Sequence, residues 1–524
     1  MAVAMVTTAV RQTPTIDEPV YVGTAVVHVR EHSLRYNPEH PPLGKLIIAS
    51  GLVFAHPRLD PHFTGDQTAL GRSVLYESGN DPWRVMLWAR LPVIVLTLLF
   101  GLVVLSFARE LAGRVGGLVA LALYSLSPDI IANGSLATLD VPAVGFLLTS
   151  VWLVWRARRR PLLHLSLAGV ALGAAVATKM STLPGVPVLL ILAVLSFWSF
   201  RRARHAGDLG PRARRRLAGL GVAVASGMGL LALAVVWVTY LVVDPQLRWT
   251  PPANLPAVHG LRGLVIDRLP FPRPYRDGMR IQFGLENATW GGFLFGRVYH
   301  GSLWYYLPAA LLVKTPLGML ALWAAGGVAM AAVPRLRSAT VHILLPPAVL
   351  LAAAMNGSRD LGVRYALFVP VFLAVAAAEV LALRQRWAHA AAAALVLCVA
   401  VSSLRAFPYY LPYSNEAFGG PSKTHLRLHD SNVDWGQDLG RLADRLDERY
   451  PHERVWLVYK GSGVPSYYGI EAADPRKAPP SEVHGLLVVS DTSVAKADGR
   501  LAALLEGSTP VDEVGHSITI YRRP

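Results

Sequence analysis

A helix of roughly 20 apolar residues can cross the hydrocarbon layer of a bilayer, about 30 Å thick, and this chain carries a long series of apolar runs near that length. They fall at 86–107, 115–133, 141–155, 163–179, 183–200, 217–243, 303–333, 340–355, 364–383 and 388–406. A soluble core cannot absorb so many. Of 524 residues, 53% are hydrophobic and only 16% charged, outside the usual composition of soluble domains. The expectation is a polytopic α-helical membrane protein.

The charges order the loops. Lys and Arg number 50 against 34 Asp and Glu, a formal net charge of +16. The arginines stand in short runs between apolar segments, as in RARRR at Arg156 and RRARHAGDLGPRARRR at Arg201, which marks topology and excludes a nucleic-acid patch. Arg109 and Arg114, Arg156 to Arg160, Arg201 to Arg216, Arg335 and Arg337, and Arg384 and Arg386 fall in alternate loops, which the positive-inside rule places in the cytoplasm. The other segments then face outward: 1–85, the turn around Asp140, KMSTLPG, 244–302, NGSRDLGVR, and everything after about 407.

This divides the chain into a first extracytoplasmic loop (1–85), a transmembrane bundle (86–406) and an extracytoplasmic domain (407–524). In the last, RVWLVYKG, HGLLVVSD and SITIYRRP read as strands, and DLGRLADRLDERY as a helix with Leu439, Leu442 and Leu446 on one face. That pattern predicts a small α/β domain. The decapeptide MAVAMVTTAV is too short to span; the expectation is that a first transmembrane helix precedes this chain, or that the decapeptide is its remnant. The single cysteine, Cys398, lies in the apolar run AAAALVLCVAVSS and is assigned to helix packing.

Ionisable groups at membrane depth or at the mouth of a bundle are costly and often line a polar cavity. In TIDEPVYVG, Pro19 disfavours a helical Glu18 and predicts that Asp17 and Glu18 sit on an extended or turned backbone; an exposed acidic turn or cap is the plain alternative. In NPEHPPLGK, two prolines stiffen the chain after Glu39 and His40, and LGKLIIASGLVF can lie at the membrane surface as an interfacial helix. Asp140 opens a helix and serves equally as a cap or a site residue. Lys179, Lys314 and Arg364 are cations at outward helix ends; each alone reads as an anchor, but together they suit an anionic ligand such as a lipid phosphate. In DSNVDWGQDL, Asp430, Asn432, Asp434, Trp435 and Gln437 combine planar hydrogen-bonding groups with an aromatic face, as a sugar site does, although a capped turn explains them as well.

In order, TIDEPVYVG, NPEHPPLGK, SPDIIANGSLATLD, ATKMS, WYYLPAALLVKTPL, LGVRYALFVP and YSNEAFGGPSKTHLRLHDSNVDWGQDL resemble the bacterial phospholipid-carrier-dependent glycosyltransferases of the GT-C fold, relatives of the protein O-mannosyltransferases and aminoarabinose transferases. The resemblance runs from about 15 to 524. It implies a multi-pass protein of the bacterial plasma membrane with its active site facing outward. It also implies transfer of a sugar, with inversion, from a polyprenyl-phosphate donor to a hydroxyl on a protein, glycan or lipid acceptor. The family's DE motif falls on Asp17 and Glu18, its E-x-P-P-type motif on Glu39, His40, Pro41 and Pro42, and its later helix-opening Asp on Asp140.

Under that reading Asp17 is the base that takes the acceptor proton, with Glu18 and Glu39 beside it. His40, Lys45, Asp140, Lys179, Lys314, Arg364 and the Asp430 to Gln437 set bind substrate. No cofactor is assigned, and a divalent metal stays open: Glu18 or Glu39 either shapes the site or binds the metal, with Glu39, His40 and His28 as suitable ligand types. The rival readings are a transporter or lipid flippase, for which no repeated halves are visible, and a non-catalytic glycan-binding scaffold.

Overall fold

The computed structural model describes residues 1–202, 210–383 and 385–524; Arg204 and Arg384 of the basic runs lie outside the described residues. The segment 1–85, expected as the first extracytoplasmic loop, is largely helical: α1 (Ala2–Arg11), α2 (Glu18–Arg30), α3 (Pro42–Ala55) and α4 (Gln67–Arg72), followed by one π-helical turn and, from Pro82, the start of the first long helix. Pro19 does not keep Glu18 out of a helix. Glu18 is the first residue of α2, with Pro19 in its first turn, where a missing N–H removes no intrahelical bond.

The apolar runs then form α5 (Pro82–Ser125), α6 (Pro128–Gly134), α7 (Asp140–Arg156), α8 (Pro161–Thr178), α9 (Gly185–Arg202) and α10 (Pro211–Val243). After α11 (Gly260–Arg268), α12 (Arg273–Asn287) and the hairpin β1 (Gly291–Leu294) and β2 (Arg297–His300) come α13 (Tyr306–Lys314), α14 (Leu317–Ala332), α15 (Arg337–Ala354), α16 (Phe368–Ala378) and α17 (Arg386–Arg405). Among the described residues six helices are long and apolar enough to span, or seven if α13 and α14, bent by 118° at Thr315–Pro316, count as one. The ten runs therefore do not map to ten such helices. The runs at 141–155 and 364–383 form the shorter α7 and α16, and 115–133 forms the return arm of α5 together with α6.

That return is made at Gly113, whose φ of +77° is open to glycine and strained for other residues. The arms fold together: Tyr124 Oη donates to the Thr97 carbonyl at 2.8 Å. Elsewhere glycine lets backbones touch. A Cβ at Gly169 or Gly173 of α8 would lie 2.6 Å from the Met228 or Ala232 carbonyl of α10, the close approach that small residues four apart permit in membranes.

The basic loops around Glu110, Arg158, Arg335 and Ala382 meet at one end of the bundle. Arg156 pairs with Glu110 at 3.2 Å, Arg158 donates to Ser338 Oγ at 3.1 Å, and Arg335 donates to the Ala382 carbonyl. At the other end lie α1–α4 and the C-terminal domain, stitched by backbone bonds from Thr13 N to Gln437 O (3.0 Å) and from Ile16 N to Trp435 O (2.9 Å).

The C-terminal sheet has the order β4-β3-β5-β7-β6, with β3 (Val455–Val458), β4 (Ala472–Ala473), β5 (Gly485–Ser490), β6 (Thr509–Val514) and β7 (Ile518–Arg523). β3 is parallel to β4 and β5, and β7 is antiparallel to β5 and β6. Alternation sorts its core. Leu457, Leu486 and Val488 pack under Leu439, Leu442 and Leu446 of α18 (Leu439–Arg449). Trp456, Leu487 and Val489 pack with Leu501 and Leu504 on the other face, where α19 (Asp491–Ala495) precedes α20 (Gly499–Glu506).

Candidate active site

Between the bundle, the N-terminal helices and the C-terminal domain lies a cavity of about 1220 Å³. Its wall carries eight Lys and Arg residues and five carboxylates, those of Asp17, Glu39, Glu286, Asp430 and Asp498. Of the residues singled out in the sequence, Asp17, Glu39, His40, Lys179, Arg364, Asp430 and Trp435 line it; Glu18, Lys45, Asp140, Lys314, Asn432, Asp434 and Gln437 do not.

Asp17 stands at the N-cap of α2 and accepts no bond from its own helix with its side chain. Its Oδ2 accepts from Arg364 Nη1 at 2.5 Å, while Oδ1 accepts no bond among the described residues. Arg364 is itself held between rings, 4.3 Å from the centre of Trp435 and 5.0 Å from that of Tyr365, an arrangement suited to a planar guanidinium. The carboxylate is therefore fixed at one oxygen and open at the other.

Glu39 accepts at Oε1 from Asn37 Nδ2 (2.8 Å) and Gln67 Nε2 (2.7 Å). His40 is held neutral: burial first, then Lys179, Lys45, Arg359 and Arg364, drive its pKa well below the usual histidine value. Its Nδ1 is buried without a partner. Lys179 pairs with Asp140 at the start of α7, and Arg359 pairs with Glu286 at 2.5 Å. Lys460 of the C-terminal domain pairs with Asp430.

The residues outside the cavity build its walls. Glu18 is fully buried and accepts five bonds, from Thr15 N (2.9 Å) and Oγ1 (3.0 Å), Arg90 Nε and Nη2 (2.7 Å each) and Ala137 N (2.7 Å). Nothing is left to offer a substrate, so its predicted place among the reacting groups is not where the fold puts it. Lys45 donates to the Asn37 carbonyl (2.8 Å) and the His40 carbonyl (2.7 Å), tying down the turn that presents Glu39. Lys314, expected at a donor phosphate, instead donates to the Leu411 (2.5 Å) and Asn432 (3.0 Å) carbonyls, 3.6 Å from Asp129.

Asn432 accepts from Val363 N at 2.9 Å and donates to Tyr306 Oη at 2.9 Å, clamping the segment before Arg364. Gln437 accepts from Trp435 N at 2.7 Å. Asp434 accepts from Gly436 N at 3.1 Å, and burial pushes its pKa up to about 7. These three act as turn formers, the alternative that the sequence left open, whereas Asp430 and Trp435 reach the cavity.

Sequence reading missed Arg262, Arg359, Lys460, Arg476, Lys496 and Arg500, all on the cavity wall. Arg359 had a signal, since NGSRDLGVR is an outward loop beside Arg364. The four from the C-terminal domain had none, because basic residues on a polar domain are commonplace. Among the described residues no three His, Cys, Asp or Glu side chains gather as a metal group. His28 lies outside the cavity, bonded through Nδ1 to the Ser33 carbonyl at 2.9 Å.

Residues 3–243, which include Asp17, Glu39, His40, Asp140 and Lys179, match the family model described as dolichyl-phosphate-mannose-protein mannosyltransferase. No curated protein matches the chain. Among the solved structures similar to it are these three. ArnT from Cupriavidus metallidurans bound to undecaprenyl phosphate is 14% identical, over 99% of this chain and 96% of its own, with a TM-score of 0.49. The Pmt1-Pmt2 protein O-mannosyltransferase complex of S. cerevisiae bound to the sugar donor is 17% identical, over 48% and 34%, with a TM-score of 0.35. The oligosaccharyltransferase AglB from Archaeoglobus fulgidus, in complex with an inhibitory peptide and a dolichol-phosphate, is 12% identical, over 97% and 71%, with a TM-score of 0.45.

Proposed function

We propose that this chain, whose residues 3–243 match the mannosyltransferase family model, is a GT-C glycosyltransferase that transfers a sugar from a polyprenyl-phosphate donor to an acceptor hydroxyl within the cavity. The site faces the extracytoplasmic side of a bacterial plasma membrane, opposite the end where the arginine loops gather. The observation that carries the reading is Asp17: one oxygen is gripped by Arg364 and the other is unbonded on the wall of a cationic cavity.

The acceptor oxygen attacks the anomeric carbon as its proton passes to Asp17 Oδ1. The bond from that carbon to the phosphate oxygen breaks, and its electron pair leaves with the polyprenyl phosphate. Lys179 and Arg359, each already beside a carboxylate, meet the phosphate charge as it develops. Glu39, fixed at Oε1, positions the acceptor. One base acting in one displacement inverts the anomeric centre. Glu18 and Lys45 act through the groups they hold. The family match favours this chemistry over the transporter or flippase alternative.

The test is transfer by the purified protein in lipid nanodiscs, given radiolabelled polyprenyl-phosphate sugars and a panel of protein, glycan and lipid acceptors. Label should move from the organic phase to an acceptor; retention of all label on the prenyl carrier across the panel overturns the proposal.

A further inference from the structure

The cations of the cavity are not equally neutralised. On the bundle side Lys179, Arg359 and Arg364 each face a carboxylate, and Arg262 lies over the Phe283 ring at 5.6 Å. On the C-terminal side Lys460 and Arg476 are likewise paired, with Asp430 and Asp474. Lys496 and Arg500 are different. Lys496 Nζ donates to the Gly291 carbonyl at 2.6 Å and has no carboxylate partner among the described residues. Arg500 has Nε and Nη2 buried with no hydrogen-bond partner among the described residues.

Unpaired buried donors are rare in native proteins and cost free energy until something bonds them. Nε and Nη2 form one edge of the guanidinium, and the same molecule shows what that edge takes: Arg90 uses Nε and Nη2 to grip both oxygens of Glu18 at 2.7 Å. Lys496 and Arg500 flank the start of α20 on the polar α/β domain. The prenyl tail of a donor must stay with the apolar helices, so the donor phosphate belongs to the bundle-side cations. The C-terminal pair faces whatever approaches from the aqueous side.

Resting on the transfer reading above, we infer that Lys496 and Arg500 form an anion subsite for the acceptor, which carries a phosphate or carboxylate near the hydroxyl that receives the sugar. Binding draws the Arg500 side chain from its unbonded rotamer onto the anion. Desolvation, opposed by Asp430 and reinforced by Lys460, lowers the Lys496 pKa to about 8, so the Lys496 charge is present at neutral pH and is lost above that value.

The test uses the full chain in nanodiscs at constant ionic strength. Undecaprenyl phosphate is titrated first; then, with it saturating, glycerol 3-phosphate and glycerate are titrated as phosphate and carboxylate probes. In the Lys496→Gln/Arg500→Gln variant, loss of two charge-assisted contacts should weaken the better probe by about tenfold or more, with undecaprenyl phosphate affinity within about twofold of wild type on the same basis. Lys496→Gln alone should show a smaller loss, and it stands in if the double variant unfolds. Neither probe binding wild type, an unchanged variant, or an equal loss of undecaprenyl phosphate affinity overturns the inference. If wild type fails to bind undecaprenyl phosphate, the transfer reading itself falls.

Discussion

Removing the Glu18 carboxylate should cripple the fold before it touches the chemistry. Glu18 and Arg90 are both fully buried, and every guanidinium donor of Arg90 is used: two bonds go to Glu18 and three to the Ala9 (2.6 Å), Gln12 (2.8 Å) and Thr13 (3.1 Å) carbonyls. Through this pair α1, α2, α5 and the Ala137 turn meet at one point. Glu18→Ala strips two partners from a buried cation and one from each of Thr15 N, Thr15 Oγ1 and Ala137 N. Breaking a buried pair this way costs about 3–5 kcal/mol. The three carbonyls that still hold Arg90 favour the lower end.

In a chain of this length such a loss should lower the apparent melting temperature by roughly 3 °C, read by size-exclusion of heated detergent samples. Glu18→Met/Arg90→Met, which leaves no stranded charge, should recover part of it. Below the transition, Glu18→Ala should still bind undecaprenyl phosphate. An unshifted melting temperature with transfer abolished would return Glu18 to the reacting groups and refute its structural role.

Three further outcomes follow from the same geometry. Lys179→Gln should raise the donor Kd by about tenfold, the loss of one charge-assisted contact, while Lys314→Gln should lower thermal stability and leave the Kd unchanged; equal effects of both on the Kd would contradict their separate placement. In a Cys398→Ala background, an impermeant thiol reagent added to cells should label His62→Cys and Glu471→Cys and spare Arg160→Cys, and the reverse pattern would invert the proposed sidedness. Because the Lys496 pKa lies at about 8, its positive charge is present below that pH and lost above it, so glycerol 3-phosphate affinity should fall from pH 7 to pH 9 in wild type and change less in Lys496→Gln.

The bundle was legible because apolar runs of spanning length can hardly do anything else, and the α/β domain because its strands alternate and Leu439, Leu442 and Leu446 share a face. The α5 hairpin was not, since one glycine in a basic loop does not announce a φ of +77°. Asp17 and Glu18 show where residue-type reasoning stops. They are adjacent and chemically alike, yet as N-cap and first helical residue they point apart, one to the cavity and one into the Arg90 clamp. Lys179 and Lys314 carry the same signal of an outward cation at a helix end, and only the fold decides that one reaches the cavity while the other bonds the Leu411 and Asn432 carbonyls beside Asp129. In DSNVDWGQDL the turn explanation holds for Asn432, Asp434 and Gln437, and the cavity receives Asp430 and Trp435.

The central claim is that the open oxygen of Asp17 takes the acceptor proton. Asp17→Asn keeps an oxygen for Arg364 and removes the base, so single-turnover transfer from a labelled polyprenyl-phosphate sugar should slow by roughly 10² to 10⁴, with donor Kd and melting temperature close to wild type. Glu39→Gln, measured alongside, should lose less and chiefly in KM. Wild-type turnover by a correctly folded Asp17→Asn protein, with the large loss falling on Glu39→Gln, would contradict the account and move the base to Glu39.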